Sequence, residues 1–350
     1  MNIDPITPME QEGSMARSYK TVCAKLGLSM SLYFICRIIA ALISSTITRG
    51  LYAQIGPTAA NAISMAVTVV MVYIIPMLFT AMLFGGFDYY NIRSKKFRKL
   101  YQKPKRLARA IGTFPAMYGL GYGIAALTLI ASFLITRATD GQTIIEDILR
   151  PTTMDPSTSI GGALMMVFLL VVIAPIFEEV WVRGIMYDAL SPYGHGIAII
   201  FSSILFGLMH GSLQMLFYTT ALGFALGYVR YATNSLLIVT ILHALINAIA
   251  AGMLFLLAMA DITQGEHRLV NTIQSIYMLA VLILIIVGII AFMRRIPTIR
   301  KYTIENTWTE MSPGGKTALF FLSMPVIIML ILAINEHTNF WVLIHFMGGA

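Results

Sequence analysis

The sequence predicts an all-α fold: a polytopic transmembrane helix bundle of about eight to nine spans with an active-site cavity within the membrane. Three observations predict it. Of 350 residues, 58% are hydrophobic and only 11% charged, and the mean hydropathy is +0.79. The apolar residues form repeated runs of about 18 or more, the length a helix needs to cross a bilayer. The few ionisable residues inside those runs gather at one depth.

In chain order the runs place spans near 26–48, 60–84, 111–135, 160–190, 195–211, 213–230, 235–258, 272–292 and 317–335. Residues 1–25 read as a polar cytoplasmic tail; Pro5, Pro8, Asp4, Glu10 and Glu12 there do not match a cleaved leader, so the first span is expected to stay as an anchor. Residues 26–159 read as accessory helices, 160–260 as a core that holds intramembrane ionisable residues, the catalytic core of the family resemblance given below, and 261–350 as C-terminal helices. Nine basic residues, from Arg93 to Arg109, fall in the loop 85–110. A cytoplasmic loop explains them better than nucleic acid, because no nucleic-acid module accompanies the charge.

With the amino terminus inside, 18 Lys and Arg face the cytoplasm, four lie outside, and Arg37 and Arg183 sit within spans. That asymmetry orients the chain as a multi-pass protein of the cell membrane, its first partner the lipid bilayer. Acidic Asp140, Glu146, Asp147 and Asp155 then fall in an outer loop. Cys23 and Cys36, the only cysteines, make neither a disulfide framework nor a Cys-based metal site. Gly223 and Gly227 form a GxxxG pair that lets the sixth span pack closely.

The fourth segment carries Glu178-Glu179-Val180-Trp181-Val182-Arg183 inside an apolar run that continues to Leu190, read as one helix bent at Pro175. Glu178 then lies about 18 Å below the cytoplasmic end. An ionisable group at that depth costs about 2.5 to 3.5 kcal/mol and usually does chemistry or transport. Glu179 and Arg183, four apart, share a face and can pair. Glu178 points about 100° away, toward catalysis in one reading and toward a structural salt bridge shared with the same arginine in the other.

Two more segments reach the same level. Phe206 to His210 ends the fifth run about 22 Å from its cytoplasmic end, and His243 and Asn247 share one face of the seventh span at about 12 and 18 Å. A carboxylate and a His around one water can deprotonate it for attack on a carbonyl, while a His and an Asn stabilise the oxyanion. The metal-dependent alternative is a zinc held by His210, His243 and a Glu178 or Glu179 carboxylate. HExxH is absent, so spacing does not decide between them.

EExxxR at 178–183, FxxxH at 206–210 and HxxxN at 243–247, in that order inside apolar helices, resemble the motifs of the CAAX protease and bacteriocin-processing family (CPBP, or Abi) of intramembrane proteases. The type II CAAX prenyl proteases are among its members. The resemblance covers about residues 160–260. It implies that Glu178 with His210 activates water, that His243 with Asn247 forms the oxyanion hole, and that Glu179, Arg183 and Phe206 support them. It also implies a peptide or lipidated protein substrate, and a mechanism either zinc-dependent or of the glutamate type. The competing functions are a proton-coupled transporter, disfavoured by the lack of repeats, and a non-catalytic membrane partner such as an immunity protein.

Remaining polar residues carry less. Arg37 reads as a structural pair or groove residue ahead of substrate recognition, Tyr187 and Asp188 as surface ahead of an entrance, and Trp181 as packing near the ion pair. Trp308 and Trp341 suit interfacial anchoring.

Overall fold

Inside a bilayer every backbone N–H and C=O needs an internal partner, which helices supply without a neighbour. The computed structural model describes residues 8–89, 91, 93–104, 107–138, 160–211, 213–263, 267–305 and 312–338, and among these it is helical with no strand. The acidic outer loop at Asp140–Asp155, Trp308 and Trp341 fall outside the described residues.

The helices, in order, are α1 Pro8–Ile55, α2 Pro57–Thr68, α3 Ile75–Phe84, α4 Lys95–Leu100 and α5 Leu107–Ala138; then α6 Ile160–Phe168, α7 Ala174–Glu179, α8 Tyr187–Leu190 and α9 His195–Leu208; then α10 Leu213–Thr233, α11 Leu236–Thr263, α12 His267–Glu305, α13 Pro313–Phe321 and α14 Met324–Thr338. Three π-helical turns, Val69–Ile74, Leu169–Ile173 and Val180–Met186, join α2 to α3, α6 to α7 and α7 to α8.

Among the described residues four stretches are long and apolar enough to cross a membrane: Ser14–Ile47, Thr58–Phe84, Ile160–Tyr193 and Asn271–Pro297. A fifth arises if Gly314–Phe321 and Met324–Ile334, bent by 69°, count as one. The span count is therefore four or five by this measure, against the eight to nine expected. One reason is local. α9 has 14 residues, about 21 Å, short of the about 30 Å hydrocarbon core. It turns at His210 and α10 runs back along it: a Cβ on Gly223 would meet Ser203, and one on Gly227 would meet Ile199. The GxxxG pair closes this antiparallel hairpin, and His210 sits at its tip.

The first helix also differs from expectation. It begins at Pro8, and Tyr19 and Cys23, placed by sequence in a polar tail, are fully buried in the main core beside Leu26, Trp181 and Phe201. The basic loop is likewise partly structured. Ser94 caps α4 by accepting from the Phe97 N–H, Leu100 is buried, and Ser235 Oγ donates to the Gln102 carbonyl at 2.9 Å. A second core joins α5, α10 and α11 through Tyr118, Leu226 and Ile246. α5 crosses α12 so closely that a Cβ on Gly119 would lie 2.0 Å from Gly288.

Candidate active site

Pro175 shapes the helix that carries the carboxylates. In the preceding π turn each N–H bonds five residues back, as Ala174 does to the Leu169 carbonyl. The next N–H in that ladder belongs to position 175, where proline has none. The Leu170 carbonyl is thereby left without its helical donor, and Asn247 Nδ2 on α11 donates to it at 2.8 Å. A π turn thus directly precedes the helix that carries Pro175, and one amide hydrogen of Asn247 closes the gap.

Beyond Pro175 lies the ionisable cluster. Glu179 and Arg183 are fully buried, and Arg183 Nη1 lies 3.2 Å from Glu179 Oε1. The same oxygen accepts from His243 Nδ1 at 2.8 Å. Glu179 thus serves two partners, where the sequence reading assigned it to Arg183 alone. Arg183 also donates through Nη2 to the Gly223 carbonyl, and its guanidinium lies over the Phe206 ring, 4.1 Å from the centroid. A side chain at 223 would press on both Ser203 and this guanidinium, which explains a glycine there.

Glu178 has different neighbours. Tyr73 donates its hydroxyl to Glu178 Oε1 at 3.3 Å, and Glu178 Oε2 lies 3.8 Å from His243 Nε2. Among the described residues, Glu178 Oε2, Glu179 Oε2 and Arg183 Nε are buried with no hydrogen-bond partner. Each such atom costs about 1 to 3 kcal/mol in a folded protein, a cost that natural structures retain chiefly where function needs it.

Partner chemistry fixes the histidine tautomers. A carboxylate only accepts, so His243 Nδ1 carries the proton and Nε2 faces Glu178, bare in the neutral ring and a donor in the imidazolium. At the hairpin tip His210 Nδ1 donates to the Phe206 carbonyl at 2.8 Å, which leaves Nε2 with its lone pair. Phe206 stands between the two rings, 4.8 Å from His210 and 5.5 Å from His243, edge-on to both. The cluster therefore joins Glu178, Glu179, Arg183, Phe206 and His243 directly, with His210 reached through Phe206 and Asn247 through the helix backbone.

Several residues outside the motifs hold this arrangement. Tyr33 and Arg37 on α1 both donate to the Met209 carbonyl, fixing the turn that precedes His210. Trp181 donates Nε1 to Thr80 Oγ1 at 2.8 Å. Arg230 pairs with Asp188 at 3.2 Å and donates to the Arg183 carbonyl, so Asp188 is a structural partner rather than bare surface. From the basic loop Tyr101 packs on the core, and burial, then the Glu179 charge, pushes its hydroxyl up to about 12. No motif spacing identifies Tyr73; its sequence signal is a tyrosine within a largely apolar span.

A zinc site needs three converging ligands. Among the described residues no group of three His, Cys, Asp or Glu side chains is placed to hold a metal ion.

All the motif residues fall in one segment that can be compared with known families. Residues 160–249 match the family model described as type II CAAX prenyl endopeptidase Rce1-like. This segment is a CAAX protease family domain. The match covers 90 of 350 residues and lies inside the 160–260 core delimited by the motifs. No curated protein and no solved structure matches the chain. The CAAX protease domain and the apolar helices around it make the chain an integral membrane protein. Tyr33, Arg37, Tyr73 and Tyr101 approach the domain from helices and a loop outside the match.

Proposed function

We propose that the protein is an intramembrane endopeptidase of the glutamate type, cleaving a peptide bond near the carboxy terminus of a lipidated peptide or protein at the cytoplasmic face. The observation that carries the reading is the pair of adjacent buried carboxylates with separate partners: Glu179 tied to Arg183 and His243, Glu178 left with one unpartnered oxygen facing His243.

In this mechanism Glu178 Oε2 takes a proton from water as the water oxygen bonds to the scissile carbonyl carbon, with His210 Nε2 as a second acceptor orienting that water. The carbonyl oxygen becomes an oxyanion. His243, protonated and held through Nδ1 by Glu179, donates from Nε2 to that oxyanion, and the remaining amide hydrogen of Asn247 serves the same end. The C–N bond then breaks as Glu178 returns its proton to the leaving amine. Arg183 holds Glu179 in place, so that Glu179 Oε1 can orient His243.

The test uses a fluorogenic peptide ending in farnesyl-cysteine and three further residues, with purified protein in detergent. Cleavage by the wild type and its loss in Glu178→Gln, with unchanged elution and melting, is the expected result. Full activity in Glu178→Gln overturns the mechanism. Failure of the wild type to cut a panel of lipidated peptides overturns the substrate class. Activity that vanishes on chelation and returns with zinc overturns the metal-independent version.

A further inference from the structure

Away from the Glu178 cluster, on the opposite side of the α9–α10 hairpin, lies a cavity of about 930 Å³ between α5, α9, α10 and α12. Ile204, Ala225 and Phe292 line it, and on α5 it extends from Thr113 to Ile124. Eleven helical residues span about 16 Å, half of the about 30 Å hydrocarbon core, so the groove is one leaflet deep. Its polar end is equally specific. Arg295 stands there, beside Thr113, with Nη2 donating to the Gly112 carbonyl at 2.6 Å. This is the end of the bundle where the basic loop from Arg93 to Arg109 enters α5 and where Arg294 is exposed.

We propose that this groove binds one anionic phospholipid from the leaflet at the basic face, an acyl chain lying along α5 and α10 and the phosphate on Arg295. Depth, apolar lining and a cation at the headgroup level each match that ligand, and basic pockets between membrane helices at this level select anionic headgroups. A guanidinium offers five N–H donors, so the bond to Gly112 leaves others for phosphate oxygens. The site is separate from the catalytic cluster, yet it touches the same hairpin: Ile204 belongs to α9, the helix that leads into the turn at His210, and Ala225 lies half a turn from Gly223, whose carbonyl holds Arg183. A bound lipid would brace that hairpin from its outer side.

The experiment is native mass spectrometry of the full chain in detergent with palmitoyl-oleoyl phosphatidylglycerol, or phosphatidylcholine of the same chains, each added at equal concentration. One phosphatidylglycerol should be retained per protein, at least fivefold above phosphatidylcholine. Arg295→Gln should lower phosphatidylglycerol to the phosphatidylcholine level, and Ala225→Trp, which fills the groove, should reduce both at least tenfold. Equal retention of the two lipids in the wild type, or unchanged retention in Ala225→Trp, overturns the proposal. If Ala225→Trp does not fold, Arg295→Gln decides, and a preserved headgroup preference in it overturns the proposal. Displacement of phosphatidylglycerol mole for mole by a farnesylated peptide also overturns it, assigning the groove to an isoprenoid tail.

Discussion

The spans Ile160–Tyr193 and Asn271–Pro297 are both long and strongly apolar, but they are built to opposite ends. The second is continuous α-helix and turns Leu279, Leu282, Ile283 and Ile286 outward, each at least half exposed. The first is interrupted by two π turns, and all seven residues from Val180 to Met186 are buried. It carries four charged side chains, and three of them, Glu178, Glu179 and Arg183, have no more than 10% of the side chain exposed. Hydrophobicity therefore does not separate a lipid-facing helix from a catalytic one. The π turns and the neighbours that answer them do.

Substitutions on the two spans and on the residues that contact the first test that contrast. Glu178→Gln, nearly isosteric, should lower turnover about 10²- to 10⁴-fold with little change in melting, as measured on the farnesylated peptide. Arg183→Met strands a buried Glu179 and should cost about 3 to 5 kcal/mol, seen as a large fall in melting temperature in detergent. Asn247→Ala removes the donor for the Leu170 carbonyl beside Pro175 and should cost about 1 to 3 kcal/mol by the same assay. Tyr73→Phe keeps the ring against Phe177 but loses the hydroxyl on Glu178, and should lower kcat about tenfold, some 1.4 kcal/mol, with KM little changed. On the lipid-facing span, Leu279→Ala should shift stability by less than about 0.5 kcal/mol. If Leu279→Ala destabilises as much as Asn247→Ala, the contrast between the spans fails.

Much of the helical content was legible because bilayer crossing demands long apolar runs, and Ile160–Tyr193 was readable as one element despite Pro175. The i to i+4 spacing likewise announced the Glu179–Arg183 pair. Less accessible was the length of α9: an apolar run from 195 to 211 looks like a span, and only its antiparallel packing on α10 makes it the short arm of a hairpin. Asn247 shows the same limit. Its spacing from His243 places both on one face, but its bond to Leu170 depends on a π register that composition does not encode. Tyr73, Tyr33 and Arg37 come from helices far away in sequence, so no local pattern could link them to Glu178 or His210.

By itself the sequence determined the class of protein and the residue types brought to the site, because burying charge in lipid is costly enough that each buried carboxylate must be matched by a cation or a donor. Tertiary structure alone decided how the adjacent carboxylates divide. Glu179 Oε1 is shared by Arg183 and His243, while Glu178 meets Tyr73 and keeps one oxygen without a hydrogen bond among the described residues. That division depends on distances between four elements, the α7–π-turn segment, the π turn after α2, the α9–α10 hairpin and α11, which the chain fixes only when they pack.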